Sequence, residues 1–234
     1  MNSDSPTEAR RTADRLKKER SRTALLEAAG TLFARSGWSG TRVEDVARLA
    51  GVSTATAFNH FPTKFALIGH VFAPILRGVL EEEQSDDPAL STDEALIRHL
   101  SRLSKAFRAD SNRALTVAFT GALQEYTARI GGQPDPADHN DPRTIAPIPT
   151  RLNELIEQAQ ASSDARTFPP ARDLATQVTN LLLLRCLTRP QESAADSAEV
   201  VLTIMFGVLR PEVLVEAGRD GRPFRNDVER LTRH

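Results

Sequence analysis

The sequence predicts an all-α protein, with an N-terminal three-helix helix-turn-helix domain followed by a larger helical domain, about nine helices in total. Apolar residues recur at helical spacing, and the β-branched alternation of half-buried strands is absent. Proline and glycine are sparse inside the long stretches and gather between them. Of the 234 residues, 40% are hydrophobic and 26% charged, the balance of a chain that can bury a core.

Residues 1–14 are rich in Ser, Thr and charge and read as a disordered tail. A first helix is expected from about Arg15 to Ser36. Within it Leu25, Ala28, Ala29, Leu32 and Phe33 form one apolar stripe, and Gly37 follows as a stop. Thr41 and Glu44 have the spacing of a capping box for a short second helix that buries Val43, Val46, Ala47 and Ala50. Gly51-Val52 makes a tight turn, Ser53 caps a third helix, and Pro62 ends it. Lys64 opens a fourth helix to about Glu83. Ser91 and Glu94 form a second capping box for a helix to about Ala109, and another helix runs from about Asn112 to Ile130. Residues 131–147 hold Gly, Pro and Asp and read as a flexible loop. Three further helices are expected, near Pro149–Ala161, Ala171–Leu187 and Ala194–Leu209; no structure is assigned after Pro211. The domain division is 15–64 for the head and 65–234 for the body.

The charge is unevenly spread. Residues 1–64 hold 11 basic and 7 acidic side chains, whereas the remainder is net −5 within a chain of net −1. A basic head on an acidic body suits a protein that meets phosphate at one end. A single cysteine, Cys186, rules out an internal disulfide. Cys186 reads as an inert buried thiol. The first residues have no apolar stretch like that of a signal peptide, and the longest apolar run, Leu181–Leu184, is too short to span a bilayer. A cytoplasmic location is therefore expected.

The second helix, the Gly51 turn and the third helix have helix-turn-helix spacing: small Ala47 and Ala50 allow close crossing, and Val52 plugs the junction. The run Thr41-Arg42-Val43-Glu44-Asp45-Val46-Ala47-Arg48-Leu49-Ala50-Gly51-Val52-Ser53 resembles the operator-binding region of tetracycline-repressor (TetR) family regulators. It continues as Phe58-Asn59-His60-Phe61-Pro62-Thr63-Lys64-Phe65-Ala66-Leu67, similar to that family's Y-x-H-F-x-x-K-x-x-L, with Phe58 replacing the usual tyrosine. Ala28-Ala29, Leu32-Phe33 and Gly37 in the preceding helix also match.

Chemistry and the resemblance together suggest roles. Asn59 and Thr54 can hydrogen-bond base edges, and Ala55 and Phe58 can meet thymine methyls, although Phe58 is as well suited to the core. Ser53 lies beside them. The resemblance places Thr56, His60 and Lys64 at phosphate-binding positions, and Lys64 also sits where a helix N-terminus favours an anion. Arg42, Arg20 and Arg22 can add backbone contacts. A solvated helix face accounts equally well for Arg20 and Arg22.

In the body, Leu115, Ala118, Phe119, Ala122 and Tyr126 form an inward stripe, with Thr116 at its edge and Thr120 and Gln124 turned away. This stripe is core, a pocket wall, or both. The resemblance implies a ligand pocket among these helices, with Phe72, Phe119 and Tyr126 as candidate lining and a largely hydrophobic small molecule as effector. Leu181–Leu184 are apolar all round their helix, as is the segment around Ile204, more than one neighbour can cover. Leu181, Leu184, Ile204 and Val208 are thus candidates for a homodimer interface. Asp135, Asp138, His139 and Asp141 read as a solvated acidic loop rather than a metal site.

The expected function is a homodimeric repressor, not an enzyme, that binds a palindromic double-stranded operator and is released by a small molecule. No cofactor or metal is expected. The alternatives are an activator, a repressor without a small ligand, and an all-α enzyme containing a non-DNA-binding helical hairpin. The operator-like motif and the absence of nucleophile-elbow, glycine-loop and zinc-protease motifs count against the enzyme.

Overall fold

The structure, a computed structural model, describes residues 6–161 and 165–209. These residues form ten helices and no strand. The head is α1 (Pro6–Gly40), α2 (Val43–Leu49) and α3 (Thr54–His60); the body follows as α4 (Lys64–Glu83), α5 (Thr92–Arg108), α6 (Arg113–Ile130), α7 (Pro142–Ile145), α8 (Pro149–Ala161), α9 (Ala171–Thr188) and α10 (Ala194–Leu209). Residues 1–5 and 210–234, where the expected tail begins and the unassigned C-terminus lies, are outside the described residues.

Helix α1 starts at Pro6, well before the expected Arg15. Proline is at home in a first helical turn, and the Ala, Arg, Glu and Lys that follow are good helix formers. This early part carries no apolar stripe, and residues 10–20 are all exposed. The helix breaks at Gly37, where a φ of 67° needs a residue without Cβ. Leu25, Ala28, Ala29, Leu32 and Phe33 are all buried, as their spacing requires.

The expected capping box at α2 does not form. The helix begins one residue later, with Arg42 as an N-cap that makes no side-chain bond. Buried Thr41 instead donates its hydroxyl to the Gly37 carbonyl (2.8 Å), closing the turn between α1 and α2, and Glu44 is exposed. The α5 box is complete: Ser91 and Glu94 each satisfy a backbone N–H of the other.

Short α7 is a helix where a flexible loop was expected. Asp135, Asp138 and Asp141 each accept from the N–H two residues on, folding the segment into successive Asx turns. Asp141 is buried, and the Arg143 guanidinium grips its carboxylate. Ile145 of α7 packs where Gly69 of α4 leaves room; a Cβ at Gly69 would lie 3.1 Å from the Ile145 Cβ.

The body core is one apolar cluster shared by α4–α6 and α8–α10. Leu96, Leu100, Leu103 and Phe107 make α5 its central helix, all with no exposure. Buried Arg108 at the end of α5 reaches the turn before α10, donating to the Arg189 and Glu192 carbonyls and pairing with the Glu192 carboxylate at 2.9 Å. Helix α4 leaves the head and enters this core, and it carries Pro74 at mid-length. Across the junction, the Trp38 indole N–H donates to Glu125 of α6 at 2.6 Å.

Candidate nucleic-acid interface and ligand cavity

The head holds α3 on the surface. Ala57 and the following Phe61 are buried and anchor it, while Ser53, Ala55, Phe58 and Asn59 are exposed and Thr54, Thr56 and His60 half-exposed. Ser53 accepts from the Thr56 N–H at 3.1 Å, so the N-terminus of α3 is capped and its direction fixed. The Ser53 and Thr56 hydroxyls are also bonded to each other, at 2.8 Å. Phe58 is 41% exposed, which places it outside the core.

Sequence reasoning missed what lies beside α3. The exposed first half of α1 runs past it, and Asp14, Lys17, Lys18 and Ser21 share a cleft of about 360 Å³ with Thr56, Asn59 and His60. The Lys17-Lys18 pair was visible in the sequence, but only the tertiary fold brings it to α3. Partial burial, followed by the charges of Lys18 and Arg22, lowers the His60 pKa below its usual value. His60 is therefore neutral at neutral pH.

The other expected phosphate contacts divide. Arg42 and Arg20 are exposed. Arg22 lies over the Phe61 ring, 4.6 Å from its centroid, and reaches His70 at 3.4 Å, so it also braces the head. Lys64, expected to face phosphate, turns inward: its ammonium donates to the Trp38 carbonyl and lies 3.9 Å from the centre of the indole ring. Burial lowers its pKa, and Glu125 partly opposes that shift.

The candidate pocket residues Phe72, Phe119 and Tyr126 are packed in the core. Phe72 and Phe119 have no exposure; their rings stack 4.0 Å apart at 4° and fill the space between α4 and α6. Thr116 and Thr120, expected at the edge of the stripe and beyond it, are buried too. Each hydroxyl bonds the carbonyl four residues back, which lets a threonine face apolar surroundings. Tyr126 is 6% exposed and donates to Asp138 at 3.1 Å. Its burial, then that bond, push the phenol pKa up to about 12.

The body's cavity lies further along, among α6, residues 132–150, α8 and α9, with a volume of about 620 Å³. Leu123, Ile148 and Leu183 give it apolar walls; Asn153, Thr176, Thr179, Asn180, Arg143 and Arg172 add polar groups. Arg143 connects this cavity to the head. Its guanidinium lies 5.2 Å from the Tyr126 ring, Tyr126 meets Phe65 edge-on at 5.1 Å, and Phe65 lies 4.9 Å from Trp38.

On the outside of α9 and α10, Leu184, Leu187, Val200 and Ile204 are exposed, and Leu181 and Val208 are half-buried. No single helix among the described residues is long and apolar enough to cross a membrane.

The head thus carries a capped, outward-facing α3 on a helix-turn-helix, joined to an all-helical body with its own cavity. Residues 25–71, the head and the start of α4, match the family described as bacterial regulatory proteins, tetR family. It is similar to the HTH-type transcriptional repressor KstR2 of Rhodococcus jostii, 39% identical over 61 residues, which are 26% of this chain and 28% of that protein. The chain thus matches well under half the length of that curated relative. Two solved structures share the fold. Thermus thermophilus FadR, a TetR-family transcriptional repressor in complex with lauroyl-CoA, has a TM-score of 0.59 at 19% identity, covering 79% of this chain and 93% of that one. RolR in complex with resorcinol has a TM-score of 0.58 at 14% identity, covering 94% and 96%.

Proposed function

We propose that this protein is a ligand-responsive transcriptional repressor. It acts as a homodimer through α9 and α10, and places two copies of α3 in successive major grooves of a near-palindromic operator. The observation that carries this reading is α3 itself: anchored by Ala57, capped by Ser53, and presenting Thr54, Ala55, Phe58 and Asn59 beside a basic stretch of α1. Thr54 and Asn59 have the groups to read base edges, and Ala55 and Phe58 suit thymine methyls. Lys17, Lys18, Arg20 and Arg42 supply charge for phosphate, which positions the head without specifying sequence. The exposed apolar strip on the last two helices supports the dimer, since such a strip on a lone chain calls for cover.

The effector enters the cavity among α6, α8 and α9. It releases DNA by preferring the protein state in which the two α3 helices are wrongly spaced; equal affinity for both states would shift nothing. The path from Arg143 through Tyr126 and Phe65 to Trp38 joins the cavity wall to the head.

Selection from random duplex DNA tests the reading. The expected product is an inverted repeat with half-site centres about 34–36 Å apart or a multiple. Enrichment of no site, or of single asymmetric sites alone, would overturn it.

A further inference from the structure

Thr179 differs from six other helical threonines. The hydroxyls of Thr31, Thr116, Thr120, Thr176, Thr188 and Thr203 each donate to the carbonyl four residues back. Thr179 is only 2% exposed and lies in the buried stripe of α9 with Ala175, Val178 and Leu182, yet its Oγ1 has no hydrogen-bond partner. Leaving a buried hydroxyl unpaired is costly. Thr179 is among the residues that line the 620 Å³ cavity. Asn153 of α8 lines it too. Its amide Nδ2 donates to Glu157 at 3.0 Å, which fixes the orientation of the group, and its buried Oδ1 is also unpartnered.

Elsewhere the wall is mostly apolar, and its one inner charge is already matched: Arg143 is held by the buried Asp141 carboxylate at 2.7 Å. Arg172 is exposed, at the start of α9. The cavity therefore has no buried uncompensated charge to offer an ionic ligand. Two residues of its lining, Asn153 and Thr179, each carry a buried oxygen without a partner, beside the further polar groups of Thr127, Gln133, Thr150 and Asn180, in a volume typical of small-molecule sites.

We propose that the cavity selects a compact hydroxylated hydrocarbon, a fused-ring phenol or a hydroxylated alicycle, whose hydroxyl donates to Asn153 Oδ1 and accepts from Thr179 Oγ1, through one group or two. This deepens the repressor reading and rests on it for its biological meaning, but the binding itself needs no DNA.

The test is calorimetric titration of the full chain, without DNA, with β-naphthol, its methyl ether and β-methylnaphthalene. All three fill similar space; the ether can accept from Thr179 but cannot donate to Asn153, and the hydrocarbon can do neither. β-Naphthol is expected to bind roughly tenfold or more tightly than β-methylnaphthalene, with the ether between them. Thr179→Val should narrow the gap between ether and hydrocarbon, and Thr179→Ser should restore it. Because Val has the shape of Thr, the ligand-free Thr179→Val protein should melt at the same temperature or higher. Equal binding of naphthol and hydrocarbon, or binding of none of the three up to their solubility, overturns the proposal. So does a Thr179→Val variant that melts clearly lower, since the hydroxyl would then be bonded within the protein. Failure of the operator selection would leave these titrations intact and remove only the regulatory meaning; failure here would leave the DNA result standing.

Discussion

His60 shows how one side chain can tie DNA binding to pH. Partial burial, then Lys18 and Arg22, depress its pKa, so the free head carries a neutral imidazole near pH 7. A phosphate arriving in the cleft that His60 shares with Lys17 and Lys18 favours the charged form and raises that pKa. The DNA-bound pKa then exceeds the free one, binding takes up a proton, and affinity must rise as pH falls. We expect operator affinity at constant salt to increase from about pH 8 to about pH 6, the range in which histidine titrates. His60→Gln should flatten the profile, and an unchanged slope in that variant would remove His60 from the phosphate contacts. Folding stability has the opposite sign. With its folded pKa lowered, His60 costs nothing well above the unfolded value and destabilises the free protein as pH falls below it. At this scale the exposure of Ser53, Ala55 and Asn59 was legible from the cap and the family resemblance together, whereas that of Phe58 was open until the fold showed it. The inward turn of Lys64 was not legible, because it depends on a carbonyl and a ring brought from Trp38.

Among the elements, the helices with strong local signals stand where their sequences put them. Ser91 and Glu94 cap α5, Lys64 opens α4, and Pro62 closes α3 by excluding Phe61 from helical geometry. Thr41 and Glu44 have the same spacing as Ser91 and Glu94 but form no box, because the Gly37 turn claims the Thr41 hydroxyl first. A spacing rule cannot see that competitor. The aspartate-rich loop misled for a related reason: its acidic residues bond their own backbone, and Asp141, read as solvated, is buried against half-buried Arg143. The open space lies elsewhere than between the candidate aromatics because such side chains on facing helices can close on each other, as Phe72 of α4 and Phe119 of α6 do. The packing of α7 on α4 can be tested at Gly69. Gly69→Ala would set a methyl 3.1 Å from the Ile145 Cβ, tighter than normal contact. Overpacking of this kind costs roughly 1–3 kcal/mol, and a thermal melt should show the loss. An unchanged Tm would mean that α7 yields freely and is no fixed wall of the cavity.

For the whole molecule, the decisive quantity is the assembly. Leu184 and Ile204 are 42% and 47% exposed on neighbouring helices, and Leu187 and Val200 are exposed on the same two helices. Leu184→Glu with Ile204→Glu would place carboxylates in the proposed dimer interface, which is strongly unfavourable without partners. Because both positions are exposed on the single chain, the fold itself should survive. Sedimentation is expected to give folded monomers, and operator affinity should collapse with the loss of the second head. A variant that remains dimeric would put the two-fold axis elsewhere on the body. The apolar excess of these helices was legible as a pattern. Which residues fill the core and which are left over was not, since Leu182 and Leu183 are buried while Leu184 next to them is exposed.

Pro74 gives α4 a particular kind of leverage. Proline has no N–H, so the His70 carbonyl lacks its regular helical donor and the rod is weakened at that turn. From Pro74 back to Lys64 is ten residues, an arm of about 15 Å at the usual helical rise, so a bend of about 10° there would swing the base of the head by about 2.6 Å. Gly69, which receives Ile145 from the cavity side, lies halfway along that arm. A push of about an ångström against Gly69 would thus arrive at the head roughly doubled. Two such arms swinging in a dimer would change the distance between the reading helices by more than either cavity wall had moved.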